Sequence, residues 1–178
     1  ENCIKENFRL KPPQIFLKNF MSNNTIYNSI LLFHGTGTGK TCSAITLAEN
    51  FNNNYKFIDN KPIVLSPKNI ILIRKNYDIM GYRKFSNLIL SKLDLDLSLN
   101  KITQFQIDII KKNFDNRLII IDEVHNIRDE TETKDIMKLL KIIVKYSSNI
   151  KLILLSATPM FNSSFEIVNI INLMLLND

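Results

Sequence analysis

Gly35-Thr36-Gly37-Thr38-Gly39-Lys40-Thr41 constrains this chain more than any other stretch. An apolar run, Ile30-Leu31-Leu32-Phe33, leads into it, and Cys42 to Glu49 has the composition of a helix. A strand, a glycine turn and a helix in that order make a cradle for phosphate. Glycine lets backbone N–H groups close around an anion, and the helix start adds its positive dipole end. Lys40 supplies a point charge for the outer phosphates, and Thr41 a hydroxyl for Mg²⁺. The strict eight-residue pattern opens on Gly; here His34 stands in that place, while Gly39-Lys40-Thr41 is intact. The alternative is a glycine turn that binds nothing, which leaves Lys40 beside alternating glycines without a packing use.

The rest of the chain supplies the frame. At 178 residues it matches one domain, since about 150 residues bury roughly 70% of their unfolded surface. Apolar residues make up 45% and charged residues 22%, ordinary globular proportions. The net charge of +6 hints at a polyanionic partner and says nothing about fold. Cys3 and Cys42 are the only cysteines and form neither a zinc spacing nor a disulfide framework, so a reduced intracellular compartment is expected. No apolar run is long enough for a bilayer span and no signal peptide is visible, so no membrane role is expected. The chain opens on Glu1 rather than Met, which raises the expectation of a fragment.

Periodicity predicts a helix opened by Pro12-Pro13 and carried by Ile15 to Met21, then a strand over 29–34 and a helix over 39–51. Lys61 to Ser66 reads as a buried strand ended by Pro67, with a helix over 68–75. Phe85 to Leu93 fits a helix, and residues 94–97 fit a short strand or a loop. Thr103 to Phe114 has helical spacing and Thr133 to Tyr146 reads as an amphipathic helix, while Arg117 to Ile121 reads as a central parallel strand and Lys151 to Leu155 as another buried strand. Ser163-Ser164-Phe165-Glu166 is a capping box for a helix over 164–175, apolar nearly all round. Strands alternating with helices predict an α/β domain, a parallel sheet with helices on both faces.

Asp122 and Glu123 stand at the C-terminal end of one central strand, where ligands bind in such sheets. Transfer of a phosphoryl group to water needs a metal on the phosphates, a positioned water and charge stabilisation. Asp122 is placed to hold Mg²⁺ through its water shell, and Glu123 to orient or deprotonate the attacking water. Alone, such an acidic pair is more often a loop start or a helix cap; the phosphate loop in the same domain tips the balance. Gln14 has two open readings: a solvated residue of a first helical turn, or an amide that reads an adenine edge. His125 alone reads as a surface or capping residue, and Ser156-Ala157-Thr158-Pro159 alone as a strand-ending turn.

Taken together, these residues resemble the motifs of superfamily 2 helicases and translocases. Gly35 to Thr41 resembles motif I, Asp122-Glu123-Val124-His125 the DExH box, and Ser156-Ala157-Thr158 motif III. Leu10-Lys11-Pro12-Pro13-Gln14 resembles the Q-motif variant of the chromatin-remodeller-like branch, and Ser66-Pro67-Lys68 sits where motif Ia would be. Ile121 to Arg128 with Phe33 to Cys42 is similar to helicase-like ATPases of large cytoplasmic DNA viruses, among them poxvirus, asfarvirus and mimivirus proteins. The resemblance implies a RecA-like P-loop NTPase fold for residues 1–178, with ATP and Mg²⁺ as cofactors. It implies that Gln14 reads adenine, that Gly35, Thr36, Gly37, Thr38, Gly39, Lys40 and Thr41 hold phosphates and metal, and that Asp122 and Glu123 serve hydrolysis. It further implies that His125, Ser156 and Thr158 couple the ATP site to DNA or RNA, with Lys68 on the nucleic-acid path. A hydroxyl bonded to an imidazole across adjacent strand ends makes physical sense of that coupling. A second RecA-like domain of the same polypeptide would complete the motor, acting in viral transcription within the virion and host cytoplasm. The alternative is a P-loop ATPase that remodels protein complexes, or a nucleotide-gated scaffold, which would need neither Gln14 nor Ser156-Ala157-Thr158. A binding domain without catalysis is disfavoured by intact Lys40, Thr41, Asp122 and Glu123.

Overall fold

Five parallel strands, in the order β1-β5-β4-β2-β3, form the sheet. They are β1 (Ser29–Phe33), β2 (Ile63–Leu65), β3 (Asp78–Met80), β4 (Leu118–Ile121) and β5 (Lys151–Ser156). The computed structural model describes residues 12–22, 25–33, 44, 47–49, 61–66, 77–94, 101–127, 134–159 and 164–178. The phosphate loop, Lys68, the expected helix over 68–75, residues 95–97 and Ser163 of the expected capping box lie outside them, as does most of the expected helix over 39–51.

Successive side chains of a strand point to opposite faces, and both faces here are apolar. Ile63, Leu65, Ile119, Ile121, Leu152 and Leu154 face one core. Val64, Leu118, Ile120, Ile153 and Leu155 face the other. The first core is closed by α2 (Tyr82–Leu93), α3 (Gln104–Phe114), α4 (Lys134–Tyr146) and α5 (Ser164–Asn177). The second is closed by α1 (Pro12–Phe20) and by the helical residues Ala44, Leu47 and Ala48. Helices on both faces of a parallel sheet make the doubly wound α/β architecture that the alternation of elements predicts.

Several boundaries differ from the sequence expectation for local reasons. Thr103 lies outside α3 as its N-cap: its hydroxyl accepts from the Gln106 N–H (3.3 Å), and Gln106 Oε1 accepts from the Thr103 N–H (2.9 Å). Gln106 Nε2 also donates to Leu93 O (3.0 Å), tying the end of α2 to the start of α3. α2 begins three residues earlier than its apolar run indicates, at Tyr82. α5 runs on to Asn177, whose Nδ2 donates to Ser29 Oγ (2.9 Å) and Ile150 O (3.2 Å). Its outer face leaves Phe165, Val168, Ile171, Leu175 and Leu176 exposed.

β3 is legible only in three dimensions. It has three residues, starts with an acid and lies at one end of the sheet order. Arg117 braces it from the start of β4. Its Nε donates to Lys61 O (2.8 Å), its Nη1 to Asn113 O (2.7 Å) and its Nη2 to the Asp78 carboxylate. Burial pushes the Arg117 guanidinium below its ordinary pKa, and the Asp78 charge opposes that shift.

Removal of the α3 cap by Thr103→Ala is expected to cost about 1 kcal/mol, and Arg117→Ala about 3 kcal/mol, because it strips two carbonyls and a carboxylate of a charged donor. Urea unfolding followed by circular dichroism checks both the size and the order of the two losses.

Candidate functional site

All strands run the same way, so their C-terminal ends open on one edge of the sheet. Phe33, the last residue of β1, pairs with Ser156, the last of β5. In sequence, the glycine loop follows directly on Phe33. Gly35, Thr36, Gly37, Thr38, Gly39, Lys40 and Thr41 themselves lie outside the described residues, and so does Lys68.

Asp122 follows directly on β4. Its N–H donates to Leu65 O (2.8 Å), which continues the β2–β4 ladder by one step. Its Oδ2 accepts from Ser66 Oγ (3.2 Å). Asp122 and Ser66 are both buried. The carboxylate is thus aimed by a hydroxyl from the neighbouring strand end. Sequence alone placed Ser66 in a motif and gave it no contact with Asp122.

Glu123 makes the turn out of the sheet. Its backbone is left-handed (φ 54°, ψ 50°), which an L-residue adopts at a cost. A single 3₁₀ turn, Val124–Asn126, follows at once, with the Asn126 N–H donating to Glu123 O (2.9 Å). That turn brings His125 back over the end of β5. His125 Nδ1 lies 2.9 Å from Ser156 Oγ and 3.5 Å from Glu123 Oε2. Ser156 is fully buried (0% exposed) and also accepts the Thr158 N–H at 3.1 Å. Hydroxyl and imidazole can exchange donor and acceptor roles with the ring's tautomer. Among the contacts of the described residues, Thr158 enters through its backbone amide, and Ser156 is the hydroxyl that meets the imidazole.

Gln14 lies in the first two turns of α1 and is 8% exposed, which excludes the solvated reading. Its helix through Leu17, and Met21 just beyond it, pack on the same core as Ala44, Leu47 and Ala48, residues of the segment after the glycine loop. Among the described residues, Gln14 therefore belongs to the face that also carries the phosphate-loop helix.

Tyr82 was not singled out from sequence. The buried Tyr82 hydroxyl donates to the backbone carbonyl of Asp122 and, at 3.1 Å, to that of Glu123. Burial and the neighbouring charges of Asp122 and Glu123 push its phenol well above the ordinary tyrosine range, so it stays a donor. The available signal was its spacing with Phe85, Ile89 and Leu93 on the buried face of α2. A tyrosine on such a face needs a partner for its hydroxyl.

The oxygen-rich edge suits a hard cation. Mg²⁺ usually takes one or two protein oxygens and completes its shell with water and phosphate. Asp122 offers a buried, hydrogen-bonded carboxylate of that kind. Among the described residues, no cluster of three or more His, Cys, Asp or Glu could hold a metal by protein ligands alone.

Comparison with known proteins shows the family and the fold. The family model described as type III restriction enzyme, res subunit, matches residues 7–161. A protein of Acanthamoeba polyphaga mimivirus, described as "Putative ATP-dependent RNA helicase", is 32% identical over 227 residues, covering 97% of this chain and 19% of the relative. An African swine fever virus protein, described as early transcription factor large subunit homolog, is 46% identical over 55 residues, 30% of this chain and 5% of that protein. The Sulfolobus solfataricus SWI2/SNF2 ATPase core superposes with a TM-score of 0.56 at 18% identity, covering 93% of this chain and 36% of that one. At that identity the likeness is one of fold. The chain spans about a fifth of the mimivirus relative's length.

Loss of the Ser66 hydroxyl leaves a buried carboxylate short of a donor. Ser66→Ala is expected to cost about 1.5–3 kcal/mol, the range for bonds to charged groups, measured as a shift in the denaturant midpoint at unchanged slope.

Proposed function

The chain belongs to the type III restriction enzyme res-subunit family, and on that premise we propose that it is the ATP-binding domain of a superfamily 2 helicase or translocase. In this reading it is the first RecA-like domain of a two-domain motor that hydrolyses ATP to move on DNA or RNA. The observation that carries the proposal is the 2.9 Å contact between His125 and Ser156. It joins the stretch that holds the two acids to the end of a different strand. A generic phosphate-binding domain has no use for such a link, whereas a motor must pass the state of its nucleotide to a distant surface.

The residues divide the work as follows. Lys40, Thr41 and the Gly35–Gly39 backbone hold the phosphates, and Gln14 reads the adenine. Mg²⁺, held by Thr41 and Asp122, would supply charge neutralisation on the phosphates. Glu123 orients the attacking water and accepts its proton. His125, Ser156 and Thr158 transmit the change to the nucleic-acid surface, where Lys68 contacts phosphate. Gly35 to Thr41 and Lys68 carry these roles on sequence alone.

Relatives support both polymers: the mimivirus protein's description names an RNA helicase, and the Sulfolobus core was solved with double-stranded DNA. The African swine fever virus relative, described as an early transcription factor large subunit homolog, supports a role with viral transcription machinery; the virion and the host cytoplasm are the locations that go with this proposal. No helix of the described residues is long and apolar enough to cross a membrane. The exposed apolar residues of α5 support contact with further protein, and the second RecA-like domain is the proposed occupant.

In the full-length protein, Lys40→Ala and Glu123→Gln should each lower kcat for ATP hydrolysis by about 10²-fold or more, the loss expected when a group that acts on the transition state is removed. Added DNA or RNA should raise the wild-type rate. A wild-type rate in either variant contradicts the site, and no stimulation by either polymer favours an ATPase that works on protein complexes.

A further inference from the structure

We infer that Tyr82 is a positioning residue for Glu123, holding the turn that aims its carboxylate. The inference rests on the proposed role of Glu123 in hydrolysis and extends it to a residue on another element.

Glu123 stands in the left-handed region at φ 54° without being glycine or asparagine. A conformation of this kind persists only where its surroundings over-determine it. The rotation that would relieve it turns the peptide groups on either side of Glu123. Both of those groups are held. The single proton of the Tyr82 hydroxyl is shared between the carbonyl before Glu123, that of Asp122, and Glu123's own carbonyl at 3.1 Å. The Glu123 carbonyl also takes the Asn126 N–H at 2.9 Å, so one phenol closes a clasp that includes the whole 3₁₀ turn.

The clasp is itself anchored. Tyr82 is the first residue of α2, and Phe85, Ile89 and Leu93 bury the same face of that helix in the core under β2 and β4. The ring therefore cannot follow the turn if the turn relaxes. Its hydroxyl does not touch the Glu123 carboxylate; it acts on the backbone that directs it. Loss of the hydroxyl frees the Asp122–Glu123 peptide to rotate. The carboxylate then leaves its place and loses its 3.5 Å approach to His125 Nδ1. Nucleotide binding, which depends on the glycine loop and α1, is left as it was.

The test compares Tyr82→Phe with wild type in the full-length protein. Rates are measured at a temperature where circular dichroism shows every variant folded. Tyr82→Phe keeps the ring and its packing, so kcat should fall by on the order of 10- to 100-fold, as for a small misplacement of a catalytic group, with KM for ATP within about twofold. Phe85→Leu, a packing change on the same helix face, should leave kcat within about twofold. In single-turnover assays Tyr82→Phe should add no further loss to Glu123→Gln. Amide exchange at residues 124–126 should quicken by about 10-fold in Tyr82→Phe, with β4 unchanged. A wild-type kcat in Tyr82→Phe, an equal loss in Phe85→Leu, or an additive loss on top of Glu123→Gln overturns the inference. A wild-type rate in Glu123→Gln instead overturns the role of Glu123 on which the inference stands.

Discussion

Burial on both faces of β4 and β5 is the constraint from which the rest of this structure follows. Every residue of both strands is buried, so neither face of the sheet centre has room for polar chemistry. Backbone groups within the sheet are satisfied by the ladders. Polar side chains can be placed only where the strands stop and ladder bonds run out. Because the strands are parallel, those stops align on one edge. A parallel sheet thus concentrates ligand chemistry at one rim by the same burial that stabilises it.

At that rim three contacts among the described residues join different strand ends. Ser66, after β2, aims Asp122, after β4. Ser156, ending β5, meets His125, one turn beyond β4. Tyr82, after β3, holds the backbone carbonyls of the two acids. These contacts cross the sheet in the direction of its hydrogen bonds. A shift of one strand against the next would change several of them together. Two of the three holders use a serine hydroxyl, small enough to fit between strand ends and able to donate and accept at once.

Much of this was legible beforehand where local patterns decide. The run Leu118-Ile119-Ile120-Ile121 followed by two acids could hardly be anything but a buried strand with a polar end. The meeting of an imidazole with a hydroxyl across adjacent strand ends was foreseeable from Asp122-Glu123-Val124-His125 and Ser156-Ala157-Thr158. Which hydroxyl it would be was not, because register decides it, and Ser156 rather than Thr158 reaches the ring. β3 escaped because three residues beginning with Asp78 carry no periodicity, and its stability comes from Arg117, distant in sequence. The left-handed Glu123 escaped because nothing in an Asp-Glu pair signals positive φ, and the clasp that maintains it comes from Tyr82, some forty residues earlier. Local pattern reveals strands and motifs; the contacts that aim the side chains are long-range and belong to the fold. Residues 34–43 lie outside the described residues, so the phosphate loop rests on its sequence alone.

The central claim is that the His125–Ser156 contact carries information between ATP and nucleic acid. A double-mutant cycle on the full-length protein tests it most directly, with the ratio of nucleic-acid-stimulated to basal ATPase rate as the readout. The account predicts that His125→Ala, Ser156→Ala and the double variant reduce the ratio by the same factor, while basal rates stay close to wild type. Independent, additive reductions, or a ratio unchanged in all three, would contradict it.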